Sequence, residues 1–171
     1  AKFGVLDRSS EAAKSVRAML EALADAGWEA QSATLTCCCG DREYTLSTTY
    51  PSLDPDLNAG ARITVQNDIL EHEIFVARST LLRKLRPWEV RAYLEMAEVM
   101  MEAFKPDIVL TYGSELLHPL LARAQRLGAQ TVYFMASPAV LRRPNATLPY
   151  VDEVIVPSQF VSNICKETLD K

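Results

Sequence analysis

Apolar positions along this chain follow two rhythms, short continuous runs and repeats of three and four residues, and the two alternate. In KPDIVLTYGSELLHPLLARAQRLG, Pro106 and Asp107 open a short run, Ile108 to Leu110, that ends at Thr111-Tyr112-Gly113-Ser114. Leu117, Leu120, Leu121, Ala124 and Leu127 then recur at helical spacing, which predicts a helix from Ser114 with one buried face. Gly128 stands where a left-handed cap ends it. Thr131 to Phe134 reads as the next strand, and a long loop with Pro138, Pro144 and Pro149 leads to a strand at Val154 to Val156. Ser158 is placed to cap a helix after it.

The same alternation opens the chain. Phe3 to Leu6 reads as a strand, and Ser9 and Ser10 are candidate caps. Ala12, Ala13, Val16, Met19, Leu20 and Leu23 give a helical face that ends at Gly27, and Trp28 to Leu35 makes a second strand. Val90, Leu94, Ala97, Met101 and Phe104 mark a further helix, Trp88 to Phe104. Between these parts Tyr44 to Tyr50 and Ile74 to Ala77 read as strands, with a loop signalled by Pro51, Asp54, Pro55, Asn58 and Gly60. Apolar strands joined by helical crossovers predict an α/β fold with a mostly parallel sheet covered on both faces. Phe3 to Leu6, Ile108 to Leu110, Thr131 to Phe134 and Val154 to Val156 are expected to be mutually parallel.

With 171 residues, 49% of them hydrophobic, one sizeable core is affordable, so a single domain over 1–171 is expected, with a variable insert at about 37–86. No apolar run approaches the roughly 18 residues of a membrane span. The chain starts directly in a strand, and a cytoplasmic protein, peripheral to the membrane at most, is expected. A net charge of −4 argues against general nucleic-acid binding. Within Arg78–Arg91, Arg78, Arg83, Lys84, Arg86 and Arg91 interleave with Leu81, Leu82, Leu85 and Trp88, a mixture suited to weak contact with an anionic membrane surface. A solvated loop entering the next helix is the plainer and preferred reading. Cys37, Cys38 and Cys39 are adjacent and on an extended chain point alternately to opposite faces, so no metal site is expected and the cysteines read as small apolar residues in a reducing cytoplasm. The turn Asp7-Arg8-Ser9-Ser10-Glu11 holds neither G-x-G-x-x-G nor G-x-x-x-x-G-K-[ST], and no cofactor is expected.

The order KPDIV, glycine-bearing loop, helix, ARxxG, strand, long loop, VDEVIVPSQFV resembles the N-terminal domain of retaining glycosyltransferases of the GT-B architecture, family four-like, over Lys105–Leu169, and more loosely over 1–35. The resemblance implies a Rossmann-like three-layer domain, one half of a GT-B fold, that binds a sugar or glycan acceptor through loops at the carboxyl ends of its strands. The nucleotide-sugar donor would need a second, C-terminal domain. Because the chain ends at Lys171, after the helix that precedes that domain in the family, the isolated chain is expected to be inactive. Carried over by position, the substrate-binding residues are Tyr112, Gly113, Ser114 and Glu115 in one loop, Arg8, Ser9 and Ser10 in the first turn, Ser137 beside Pro138, and Ser158. All three of those loops are expected to line one cleft. Two departures stand out: serines and an arginine replace the glycine-rich first turn, and Met135-Ala136-Ser137 replaces a histidine common in the family. His118 is the candidate to compensate, against a packed role on a mostly apolar helix, and the catalytic residue is otherwise unknown. Two alternatives are a non-catalytic binding or scaffold domain derived from the same fold, and a flavodoxin-like regulatory domain. Asp7, nearly alone after the first strand, speaks against the last.

Overall fold

The computed structural model describes residues 6, 11–36, 50–67, 70–78, 85–112, 118–135 and 148–169. The fold is mixed α/β. Its elements are α1 (Glu11–Asp25), β1 (Gln31–Leu35), a 3-10 turn (Pro51–Leu53), the one-turn α2 (Pro55–Asn58), β2 (Arg62–Asn67), β3 (Leu70–Phe75), α3 (Pro87–Phe104), β4 (Ile108–Tyr112), α4 (His118–Arg126), β5 (Gln130–Phe134), a second 3-10 turn (Leu148–Tyr150), β6 (Glu153–Ile155) and α5 (Gln159–Leu169). The chain divides into two compact units, Ala1–Ala97 and Glu98–Lys171.

In the first unit β3 is the central strand, parallel to β1 and antiparallel to β2. The register places Ser32, His72 and Val65 in one row and Thr34, Ile74 and Ile63 in the next, on one face of the sheet. Leu6, Leu53, Ile74 and Val76 form the core on that side, with Tyr50, Ala61, Ile63 and Val65 packed against it. The opposite face carries Glu73 and Phe75. Phe75 meets Trp88 edge to face at 6.4 Å, and the buried Tyr93 hydroxyl donates to the Ala33 carbonyl at 3.2 Å, so the first turns of α3 lie on this side. Burial pushes the Tyr93 phenol well above its ordinary value.

In the second unit β4, β5 and β6 are all parallel, in that order. Three of the four strands expected to be parallel are therefore parallel; the fourth, Phe3 to Leu6, lies outside the described residues apart from the buried Leu6. Tyr133, Met135, Val161 and Cys165 form the core, flanked by Leu148, Val151, Val154 and Val156. Each large side chain buried this fully contributes roughly 1.5–3 kcal/mol. Leu120, Leu121 and Ala124 of α4 are buried, as their spacing predicts. The return from the long connection is fixed at the amino end of β6, where the Asp152 carboxylate accepts the Thr131 N–H at 2.8 Å, and Asp152 donates its own N–H to the Thr131 carbonyl at 3.0 Å. The Thr131 N–H and the Thr131 hydroxyl, both donating to the carboxylate, hold the Asp152 carboxyl below its ordinary value.

The helix ends follow the sequence closely. Gly27 at φ 87° donates to Ala24 O while Trp28 donates to Leu23 O, and Gly128 at φ 87° donates to Gln125 O while Ala129 donates to Ala124 O. Both are Schellman caps. α3 ends instead on Lys105 at φ 52°, just before Pro106, whose ring disfavours the right-handed conformation for the residue preceding it. A left-handed lysine carries roughly 1–2 kcal/mol of strain. Lys105→Gly should therefore raise the urea midpoint; a midpoint that falls would show that the lysine side chain holds the helix end.

The middle of the chain departs most from expectation. β2 occupies 62–67, where no strand is expected, and β3 starts four residues ahead of the expected Ile74. The expected loop holds a 3-10 turn and a helical turn, with Asp54 Oδ1 accepting the Asp56 N–H at 2.8 Å. Tyr50 lies in no strand; 44–49 are outside the described residues.

Candidate functional site

Parallel strands bring their carboxyl ends to one edge, and in open α/β sheets that edge is where ligands bind. In the second unit the edge is formed by Tyr112 closing β4, Phe134 closing β5 and Ile155 closing β6, which stand in one cross-strand row. The Tyr112 and Phe134 rings stack at 4.9 Å between centroids and 13° between planes. Both are half-buried. The stack thus keeps part of each aromatic surface accessible, while burial pushes the Tyr112 phenol upward so that it stays a neutral donor and acceptor.

Beyond β6 the chain enters α5, and Ser158 Oγ accepts the Val161 N–H at 3.3 Å. This is the cap expected from sequence. Ser158 is exposed, and capping uses its acceptor capacity, so its O–H remains available to donate outward. Met135, the residue after β5, faces the other way: it is fully buried, with Cys165 Sγ 3.6 Å from its Sδ. Burial raises the Cys165 thiol, which sits as an apolar group in the core.

The structure thus places Tyr112 and Ser158 on one edge of one sheet. His118 opens α4. Arg8, Ser9, Ser10, Gly113, Ser114, Glu115 and Ser137 lie outside the described residues, as does the cleft their loops are expected to share. Among the described residues no three His, Cys, Asp or Glu side chains gather as a metal-binding group.

No family model, curated protein or solved structure matches this chain.

The most tightly organised polar groups lie in the first unit, and sequence reasoning assigned them nothing. Glu89 is fully buried; its two oxygens accept the Arg78 N–H at 2.7 Å and the Arg86 N–H at 2.8 Å. The second bond is the return half of a capping box, with Arg86 as N-cap and Glu89 at the third helical position. The signal was present in Arg86-Pro87-Trp88-Glu89, a proline at the first helical position followed by glutamate two residues later. Glu73, almost fully buried, accepts from Arg62 Nε at 2.6 Å and from Thr64 Oγ1 at 2.8 Å. The ion pair keeps its carboxyl below the ordinary value. His72 has no exposed surface; its Nδ1 lies 2.7 Å from Ser32 Oγ, and among the described residues its Nε2 has no partner. Burial, with Arg17 as the second cause, pushes its pKa down. These three groups fasten β1, β2, β3 and the start of α3.

Proposed function

We propose that this chain is the acceptor-binding domain of a retaining glycosyltransferase of the GT-B architecture, in which a second domain supplies the nucleotide-sugar donor. The observation that carries this reading is the parallel β4–β5–β6 edge with the stacked Tyr112 and Phe134 at its centre and the Ser158-capped helix beside it. It falls within the stretch whose residues resemble that family. An aromatic surface suits the C–H face of a sugar ring, and the Tyr112 and Ser158 hydroxyls suit its hydroxyl groups. Gly113, Ser114 and Glu115 continue the same edge in sequence, with backbone donors and a carboxylate for further hydroxyls; Ser137 follows β5. Arg8, Ser9 and Ser10 rest on the resemblance alone, which gives their residue types a role toward an anionic group. These groups position the acceptor and hold its hydroxyl in line. His118 is the candidate for proton transfer.

A second reading, a binding domain of the same descent without catalysis, is favoured by Met135. Where many family members place a histidine, this chain buries a thioether in its core.

Calorimetric titration with uridine, guanosine and adenosine diphosphate sugars separates a half-site from a complete one. The chain alone should bind none of them more tightly than about millimolar, a free energy of roughly −4 kcal/mol. Micromolar binding of any one would overturn the half-enzyme reading.

A further inference from the structure

We infer that the first unit holds a buried water molecule between β1 and β3, hydrogen-bonded at once to Thr34 Oγ1 and His72 Nε2. Both atoms are closed off from solvent, and among the described residues neither has a partner. Buried polar groups are rarely left so, and ordered water is the usual partner where the chain supplies none. The two side chains share one face of the sheet: His72 stands opposite Ser32 and Thr34 opposite Ile74, which makes them diagonal neighbours on adjacent parallel strands. That face of β1 is polar. Ser32, Thr34 and, just beyond the strand, Thr36 are all buried, where a core-facing strand ordinarily carries apolar side chains.

Two of the three hydroxyls are accounted for. Ser32 Oγ lies 2.7 Å from His72 Nδ1, and Thr36 Oγ1 accepts the Ala77 N–H at 2.8 Å. With Nδ1 committed to Ser32, Nε2 on the far side of the ring points away from it. Strand spacing and rise set diagonal Cα atoms roughly 8 Å apart. The side chains close part of that distance without bonding each other, and one water reaching about 2.8 Å to each side spans the rest. Water also fits the chemistry. Whether Nε2 carries the ring proton depends on which way the bond between Ser32 and His72 runs, and water donates or accepts as either case requires. Ions do not fit. Glu71 and Glu73 alternate to the opposite face, and Arg17, near enough for its charge to act on His72, is itself paired with Glu21 at 3.7 Å. No carboxylate is there to hold a cation, and the cation nearby already has its counter-charge. The site is separate from the sugar-binding edge and rests on none of its residues.

The test is oxygen-17 relaxation dispersion of the solvent with the full 171-residue chain, which counts waters held for longer than the chain takes to tumble and is blind to hydroxyl protons. The parent should show at least one such water. Thr34→Val, of nearly equal volume, should lower the count by one, and Thr34→Ser, which keeps the hydroxyl, should leave it as in the parent. The inference is overturned by a parent with no long-lived water, by a Thr34→Val chain whose count is unchanged, or by a loss that Thr34→Ser shows equally. Should Thr34→Val fail to fold, a crystal structure of the parent decides. A water within about 3.2 Å of both Thr34 Oγ1 and His72 Nε2 sustains the inference; the absence of that water, or a protein group bonded to either atom in its place, overturns it.

Discussion

Glu89→Ala is expected to lower the free energy of unfolding by about 3 kcal/mol, since it removes the charged acceptor of two part-buried N–H groups and each such loss costs roughly 1.5–3 kcal/mol, with the lower end expected where water can reach the donor. For a domain of ordinary stability, about 5–15 kcal/mol, that is a large share. The cause is geometric. Both carboxylate oxygens of Glu89 are engaged, one on Arg78 at the end of the β3 segment and one on Arg86 at the start of α3. Glu89→Gln keeps one acceptor oxygen and should cost about half as much. Urea unfolding followed by far-ultraviolet circular dichroism reads both. A Glu89→Ala chain within about 0.5 kcal/mol of the parent, the range of an ordinary surface substitution, would show that the two N–H groups find other acceptors.

The second large effect is acid sensitivity. His72 is buried with one nitrogen on Ser32 and, among the described residues, no partner for the other, so burial opposes the added charge of a proton and Arg17 adds repulsion. The pKa of His72 is therefore lower in the folded chain than the ordinary 6.5 it takes when unfolded. Between those two values the unfolded chain binds more protons, and stability rises with pH. Above about 6.5 the contribution is complete; it drains away as pH falls from 6.5 toward the folded value. Unfolding free energies measured from pH 8 down to pH 5 should decline, with most of the slope abolished by His72→Gln and retained by His118→Gln, the only other histidine. A slope that survives His72→Gln would assign it to other groups.

Legibility in the sequence tracked how far each element is governed by its own residues. The helices were legible because burial at three-and-four spacing and the terminal glycines Gly27 and Gly128 are local properties, and the Ser158 cap is decided within four residues. β4, β5 and β6 were legible because each is marked by a short apolar run, although only the central β5 is mostly buried and the outer β4 and β6 leave Ile108 and Ile155 exposed. β3 was not. Its sequence, LEHEIF, places Glu71, His72 and Glu73 in mid-strand, which reads as surface. His72 and Glu73 are buried because Ser32, Arg62 and Thr64 reach them from two other strands, and no local pattern announces partners that far away. β2 carried its own signal. Arg62, Thr64 and Gln66 are exposed and alternate with the half-buried Ile63 and Val65, a two-residue period obscured by the proline- and glycine-bearing stretch before it. At the candidate site Ser158 was legible as a cap; Tyr112, expected in the loop after a strand ending at Leu110, instead closes β4 itself. The stacking of Tyr112 on Phe134 was not legible, because it depends on the register between β4 and β5.

Whether the carboxyl edge of β4, β5 and β6 takes a sugar acceptor is read most directly by titrating the isotope-labelled chain with a panel of simple glycosides and following its backbone amide resonances. With at least one glycoside, the resonances of Tyr112, Phe134 and Ser158 should shift together and saturate with one dissociation constant near millimolar, about −4 kcal/mol, while those of β1, β2 and β3 stay in place. Shifts confined to β1, β2 and β3, or no saturable shift at Tyr112, Phe134 and Ser158 with any glycoside of the panel, would contradict an acceptor site at this edge.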